Sequence, residues 1–320
     1  MMKLKALFAA VLVTAGVTAH ASDALRQQAN AMFGVLPAAM PGSENDSPAM
    51  IKLGEQLYMD KRLSVNDSQS CNSCHNVTDN GPGVDNLPTS PGAFGKNGDR
   101  NSPTVWNAGF QFVQFWDGRE PDLVAQAKGP IMNPVEMAMP AQADVEKKLR
   151  AVPEYQASFK AVFGGDEPIS YHNIAVAIAA FERTLITRDR FDDYLRGDDN
   201  ALNEQEKRGL QAFISSGCVA CHSGPTLGGS SYQKMGLVNA YANQADQGRF
   251  AVTGKEQDRM MFKTPMLRDV ARTAPYFHDG SVKTLAEAVR QMAWLQLGQK
   301  LDDGKVEDIT AFLKALNHKG

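Results

Sequence analysis

The stretch SCNSCHN, residues 70–76, places two cysteines two residues apart, with a histidine directly after the second. The chain contains four cysteines, and the other two lie in GCVACHSG, residues 217–224, with the same spacing and the same following histidine. Every cysteine therefore belongs to a Cys-x-x-Cys-His motif. The two motifs consist of Cys71, Cys74 and His75 and of Cys218, Cys221 and His222.

Three kinds of site use cysteines in such pairs. A disulfide across a two-residue gap closes a small and usually reactive ring. A single zinc ion held by four cysteines also uses this spacing, but it leaves both histidines unexplained. Attachment of a c-type haem uses all three residues, because the thiols add to its two vinyl groups and the imidazole reaches the iron. Two motifs of this kind in one chain favour two covalent haems.

The first 21 residues indicate export. They contain two lysines, an apolar run and a closing Ala19-His20-Ala21, which is the pattern of a cleaved secretory signal peptide. An uncleaved anchor is the alternative, but the run is short for one, and no later apolar run approaches the ~20 residues that span a bilayer. We therefore predict a mature chain that starts near Ser22, without a membrane anchor. Export agrees with c-type haem, which is attached outside the cytoplasm.

Length and charge bound the class of protein. The about 300 residues that follow the signal peptide indicate two domains rather than one. The formal net charge is −3, and no basic patch indicates nucleic acid. A weak repeat places GEQLY, residues 54–58, and GLQAF, residues 209–213, each before a cysteine motif. The charged segment between the copies predicts a first domain over residues 22–190 and a second over 191–320.

Apolar residues at helical spacing predict a mainly α protein without a run of alternating strands. Ser170 is expected to cap one helix, and Asn203 with Glu206 and Thr284 with Glu287 have the spacing of capping boxes. The last predicted helix carries Val306, Ile309, Phe312, Leu313 and Leu316.

Two long Gly/Pro-rich stretches, residues 76–103 and 223–262, follow the two cysteine motifs. Structureless loops of this length are uncommon in compact domains. We therefore expect these stretches to wrap around the haems.

The residues alone leave the sixth ligand of each iron open. Histidine is scarce, whereas methionine is abundant. The candidates are His172, His278, His318, Met235, Met260, Met261, Met266 and Met292.

From about Ile51 to Phe312 the chain resembles the bacterial dihaem cytochrome c peroxidases and the related MauG enzymes. The resemblance implies two cytochrome-c-like helical domains, with the haems facing a shared interface, in a periplasmic enzyme that is usually a homodimer. It rests on the order and separation of the blocks SCNSCHN, DNLPTS, RNSPTVWNAGF, QFWDGR, NPVEM, GCVACHSGPTLGGSSYQKMG and TAPYFHDGSVKTLAEAV.

The resemblance also implies roles for single residues. It assigns the haem of the first motif to peroxide chemistry and that of the second to electron entry, with Met292 as the sixth ligand of the second iron. Glu136 matches the distal proton carrier, Gln114 the distal hydrogen-bonding residue and Trp116 a tryptophan between the haems. His278 matches a position near the haem edges.

A calcium ion between the domains is a further implication of the resemblance. Its ligands would be the side chain of Asn101 and the backbone carbonyl groups of Thr273 and Pro275. Oxygen ligands of this type suit a hard cation.

One position departs from the family pattern. In relatives, a histidine in the loop after the first motif ligates the peroxidatic iron in the resting state, and here its place falls on Ala93. Residues 76–99 contain no histidine, methionine, tyrosine or cysteine. We therefore expect the first iron to have an open sixth position without prior reduction.

The sequence thus predicts an enzyme that reduces hydrogen peroxide to water with electrons from a small periplasmic cytochrome c or cupredoxin. One alternative is a MauG-like enzyme that oxidises residues of a partner protein. The other alternative is a dihaem electron carrier without catalysis.

Overall fold

The computed structural model describes residues 23–319, and the predicted signal peptide lies outside them. The prediction of a mainly α protein is confirmed, because helices form most of the regular structure and one two-stranded antiparallel sheet completes it. The α-helices are α1 (residues 23–32), α2 (Pro48–Met59), α3 (Cys71–Cys74), α4 (Leu123–Met132), α5 (Gln142–Arg150), α6 (Pro153–Phe163), α7 (Tyr171–Glu182), α8 (Arg190–Leu195), α9 (Glu204–Ser215), α10 (Phe250–Thr253), α11 (Leu285–Leu297) and α12 (Asp303–Ala315). The strands are β1 (Tyr232–Lys234) and β2 (Met261–Lys263).

The predicted helix starts are present, with one difference in detail. The Ser170 hydroxyl accepts from the Asn173 N–H at the start of α7, and Asn203 and Glu206 cap α9 reciprocally. At α11 the Thr284 hydroxyl accepts from the Glu287 N–H, but the Glu287 carboxylate accepts from Gln291 instead of returning to the cap. The predicted core residues of α12 are buried, and Leu316 lies just after its end.

The buried apolar residues form two main cores. The first extends from Leu53 to Leu185 and centres on α2 against α7. The second contains Phe191 and the residues that follow it, with α9 against α12 at its centre. The proposed boundary between residues 190 and 191 falls between Leu185 of the first core and Phe191 of the second. The N-terminal segment differs, because Ala29 and Phe33 pack in the second core, although the sequence prediction assigned them to the first domain.

The weak repeat marks the helix crossing at the centre of each core. A Cβ added to Gly54 would lie 1.8 Å from the Ala177 carbonyl oxygen, and one added to Gly209 would lie 1.9 Å from that of Asp308. Only glycine allows helices to approach this closely. The two glycines of the repeat therefore have the same structural role. Each allows the helix before a cysteine motif, α2 or α9, to cross closely over α7 or α12.

The long loops are less structureless than predicted. The stretch over residues 223–262 contains β1, α10 and the start of β2, and β1 pairs with β2 in antiparallel register, with Tyr232 opposite Lys263. Three-residue strands carry too little apolar periodicity to be recognised in a sequence. Over the part of the chain that the structure describes, no helix has the length and apolar character needed to cross a bilayer.

Candidate functional site

The first motif begins on a single helical turn that opens into a large cavity. Ser70 caps α3 together with Ser73, and the His75 N–H donates to the Cys71 carbonyl oxygen at 2.9 Å. This turn brings both thiols and the imidazole to the wall of one cavity of about 940 Å³. The Tyr58 hydroxyl donates to the His75 carbonyl oxygen at 2.6 Å, so the aromatic residue of the repeat supports the motif.

The second motif has the same arrangement in the other core. A 3₁₀ turn over Cys218–Ala220 follows Gly217, and the His222 N–H donates to the Cys218 carbonyl oxygen at 3.0 Å. Its thiols and imidazole line a second, more apolar cavity of about 240 Å³. The Phe213 ring, the aromatic residue of the second repeat copy, lies 6.4 Å from the His222 ring.

Both imidazoles have the hydrogen bonding and the neutral form that are typical of metal ligands. The Nδ1–H groups of His75 and His222 donate to the carbonyl oxygens of Pro103 and Leu227, each at 3.0 Å. Burial lowers the pKa of both imidazoles, so they stay neutral. A neutral imidazole with a bonded Nδ1–H carries its free lone pair on Nε2, which is the usual arrangement of a metal-binding histidine.

The cysteines fit haem attachment better than either alternative. None of the four cysteines forms a disulfide within residues 23–319, and the two pairs line different cavities, which removes the basis for a shared four-cysteine zinc site. Burial raises the pKa of the Cys74 and Cys218 thiols to about 11, which favours uncharged sulfur. Thioethers to a haem are uncharged, whereas zinc binds thiolates.

The wall of the first cavity carries the polar residues predicted for peroxide chemistry. Glu136 and Gln114 both line it, together with Arg119. Burial raises the pKa of Glu136, whereas nearby Arg119 and a 2.7 Å hydrogen bond from Asn133 favour the carboxylate. The Gln114 amide nitrogen donates to the Ala108 carbonyl oxygen at 3.0 Å, which fixes this buried side chain. The site thus combines a tuned carboxylate with a fixed amide.

Trp116 lines both cavities. Its indole N–H donates to the Asn101 carbonyl oxygen at 2.9 Å, and its ring lies 6.4 Å from that of His278. His278 is buried against the second cavity, stacks on Phe262 and has no hydrogen-bond partner for Nε2 within residues 23–319. The tryptophan is therefore part of the wall between the two cavities.

Met292 lies on α11 and lines the second cavity with Cys218, Cys221 and His222. Met235 and Met266 line the same cavity, whereas Met260 and Met261 do not. The structure therefore reduces the methionine candidates to three.

Ala93 lies in a loop that is bonded to the segment carrying Glu136. Its N–H donates to the Glu136 carbonyl oxygen at 2.7 Å, and its carbonyl oxygen accepts from the Asn66 amide at 2.7 Å. His172 is hydrogen-bonded to Lys128, away from this cavity. Among the described histidines, only His75 lines the first cavity.

The residues predicted to bind calcium all border the second cavity. The Asn101 amide nitrogen donates to the Leu87 carbonyl oxygen at 3.0 Å, and Asn86 donates to the carbonyl oxygens of Arg272 and Ala274. These bonds use the carbonyl groups on either side of Thr273. They leave the Asn101 amide oxygen and the carbonyl groups of Thr273 and Pro275 as possible cation ligands.

Three cavity residues were missed by sequence reasoning. Arg119 ends the block QFWDGR, which was itself a signal for it. Glu182 is buried in the first cavity, burial raises its pKa to about 8, and within the described residues its Oε2 has no hydrogen-bond partner. Lys263 is buried in the wall of both cavities. Lys263 follows an apolar pair and Glu182 ends an apolar helix directly before Arg183, and no spacing rule selects either of them.

A helical protein with two such cavities, each presenting two thiols and an imidazole, has the architecture of a c-type cytochrome with two haems. A family profile described as di-haem cytochrome c peroxidase matches residues 48–200.

Individual relatives give the same result. The chain is 47% identical to a cytochrome c551 peroxidase of Pseudomonas aeruginosa over 93% of this chain and 88% of that protein. It is 34% identical to a methylamine utilization protein MauG of Methylorubrum extorquens, over 96% of this chain and 90% of that one. The crystal structure of a MauG-like protein associated with microbial copper homeostasis matches with a TM-score of 0.78 and 29% identity, over 89% of this chain and 94% of that one. The chain belongs to the di-haem cytochrome c peroxidase family.

Proposed function

We propose that this protein is a cytochrome c peroxidase that reduces hydrogen peroxide with electrons from a small cytochrome c or cupredoxin. Peroxide takes up two electrons and two protons and yields two waters. One observation carries the proposal: Glu136, Gln114 and Arg119 share a cavity with the first Cys-x-x-Cys-His motif. An electron carrier would have no use for a buried acid–base group beside its haem.

The haem of the first cavity supplies, when bound through Cys71, Cys74 and His75, the redox-active iron at which the oxygen–oxygen bond is cleaved. The side chains manage the protons. Glu136 takes a proton from one peroxide oxygen and delivers it to the other, so that the second oxygen leaves as water. Gln114 keeps one amide hydrogen for peroxide, because the bond to Ala108 uses the other.

The second cavity suits electron entry. Cys218, Cys221 and His222 would hold its haem, and Met292 would complete the ligation, as the resemblance implies. Histidine–methionine ligation raises the potential of a haem, which suits acceptance of electrons from a donor. Trp116 borders both cavities and supports a short electron path between them.

The remaining parts of the proposal concern the setting of the enzyme. The signal peptide over residues 1–21 would deliver it to the periplasm, where it would act as a homodimer. A calcium ion would bind Asn101, in the segment before Trp116, and Thr273 and Pro275, in the segment between β2 and α11. It would thereby join these two segments. Asn86 holds the carbonyl groups of Arg272 and Ala274, next to these backbone oxygens, and Asn101 is fixed by its bond to Leu87, and both contacts support the site.

Steady-state peroxide consumption with reduced cytochrome c tests the proposal. A peroxidase oxidises two cytochromes for each peroxide consumed. An electron carrier exchanges electrons with the cytochrome but leaves peroxide intact. A MauG-like enzyme consumes peroxide in proportion to an oxidised partner protein and not to cytochrome c. Either of the last two results would overturn the proposal.

A further inference from the structure

Lys263 ends β2 in the wall between the two cavities. Its backbone N–H donates to the Trp116 carbonyl oxygen at 2.8 Å. Side chains alternate along a strand, and Phe262 stacks on His278 at 4.2 Å beside the second cavity. Lys263 therefore points away from that stack, and its Nζ donates to the Val113 carbonyl oxygen at 3.1 Å. Val113 directly precedes Gln114, a residue of the first cavity.

The protein offers little negative charge to balance the buried ammonium group of Lys263. The residue is 5% exposed, and within residues 23–319 no carboxylate forms an ion pair with it. Asp117 is the carboxylate that favours the charged form of Lys263, but it is already paired with Arg100 at 2.6 Å and Arg119 at 3.0 Å. Burial lowers the pKa of Lys263 to about 7. A buried cation with one carbonyl partner is costly unless an anion approaches it.

We propose that Lys263 forms an ion pair with a propionate carboxylate of a haem, in the wall that the two cavities share. The inference rests on the proposed function, because it requires the two haems. A c-type haem is tethered to the cysteine motif along its vinyl edge, so its propionates lie at the far edge and are its only ionised side groups. The contact with Val113 favours the haem of the first cavity.

The ion pair would set a redox property. A positive charge next to a haem favours the reduced iron, which carries one electron more. Replacing the ammonium by an apolar group should therefore lower the potential of that haem. Lys263 is thus a positioning and tuning residue, not a catalytic one.

The test is redox titration of purified holoenzyme, with the two haems followed separately by their spectra. In Lys263→Met we expect two haems per chain and a potential of the first haem lowered by about 59 mV or more, which is tenfold in the one-electron equilibrium. A shift confined to the second haem would assign the pair to its propionate. Lys263→Arg keeps the charge and should remain close to the wild type. Lys234→Met, an exposed lysine on the paired strand β1, should change neither potential.

Two unchanged potentials in Lys263→Met with full haem content would overturn the inference. If that variant does not fold, resonance Raman spectra of wild type and Lys263→Arg decide, because propionate bending modes respond to their hydrogen-bond donor. A shifted mode supports the pair, and identical modes overturn it. Absence of haem from the wild-type protein would instead refute the proposed function.

Discussion

Glu136 is the residue on which the proposed chemistry depends most. It is held by Asn133 and faces Arg119, so its carboxylate is available in spite of burial. We predict that Glu136→Gln slows peroxide cleavage by ~10²–10⁴-fold with unchanged haem content, because the shape is kept and the proton carrier is lost. Single-turnover mixing with peroxide measures this rate.

The matched control for this change is Glu154→Gln, an exposed glutamate on α6. It should leave the rate unchanged. A loss of less than threefold in Glu136→Gln would show that another group carries the proton.

The pH dependence of the rate gives a second test of Glu136. Burial raises the pKa of Glu136, so the ionised base is lost on acidification at a higher pH than for an ordinary glutamate. The wild-type rate should therefore fall on its acid side, and this limb should be absent from Glu136→Gln.

At this scale, sequence reasoning finds residues that belong to a motif and misses those that act alone. The thiols and imidazoles of the two motifs follow from spacing, and Glu136 and Gln114 follow from the matched blocks. Lys263 and Glu182 belong to no motif and are important because they are buried, and burial depends on contacts distant in sequence.

Helix α11 carries Met292 into the second cavity, and two other methionines compete with it. We predict that Met292→His lowers the potential of the second haem, because methionine ligation raises the potential. The one-electron redox equilibrium of that haem should change tenfold or more. Spectroelectrochemistry of the purified protein measures the change. Met235→Leu and Met266→Leu are the controls and should retain the wild-type value. The assignment of Met292 is wrong if one of these controls, and not Met292→His, shows the loss.

The loop that contains Ala93 tests the open iron site. It is held by backbone bonds to Glu136 and Asn66 and presents no imidazole to the first cavity. We predict that the first haem is high-spin in the fully oxidised protein and reacts with one equivalent of peroxide without prior reduction. Electron paramagnetic resonance before and after mixing measures both.

Two low-spin ferric signals and no reaction before reduction would contradict this prediction. Met137, which lines the same cavity, would then be the first residue to test as a sixth ligand, since His172 and His278 lie outside that cavity. Sequence reasoning placed the position of the family's histidine at Ala93, and the open iron site that follows from it stays a prediction. It could not describe the bonds of the loop, because they are made by backbone groups.

For the whole molecule, a buried charge cluster connects distant parts of the chain. Arg268 is fully buried, pairs with Asp189 at 2.5 Å and Asp192 at 3.0 Å, and donates to the Pro225 carbonyl oxygen beside the second motif. Asp192 also accepts from the Leu36 N–H. The cluster thus joins α8, the loop of the second motif and the N-terminal segment.

We predict that Arg268→Met lowers the free energy of unfolding of the holoprotein by ~3–5 kcal/mol, because it leaves two buried carboxylates without their partner. Arg208→Met, which breaks a pair with Asp308 in which the arginine side chain is 62% exposed, should cost less than ~1 kcal/mol. Denaturant unfolding followed by circular dichroism measures both. Equal losses in the two variants would contradict the account of the cluster.

The two-core organisation was predictable because each core has its own repeat of glycine, aromatic residue and cysteine motif. That residues 29–33 pack in the second core was not predictable, because no pattern in α1 indicates which helices it packs against. The wall between the cavities was also beyond sequence reasoning, since it joins Trp116 and Lys263 across long separations.

The central claim is that two haems with separate roles perform one reaction. It is tested most directly by peroxide-dependent oxidation of cytochrome c, measured with haem content, in wild type and in the Cys218→Ala/Cys221→Ala double variant. The account predicts two haems and turnover in the wild type, and one haem and no turnover with cytochrome c in the variant. A wild-type protein that carries zinc and no haem, or a one-haem variant that turns over at the wild-type rate, would contradict it.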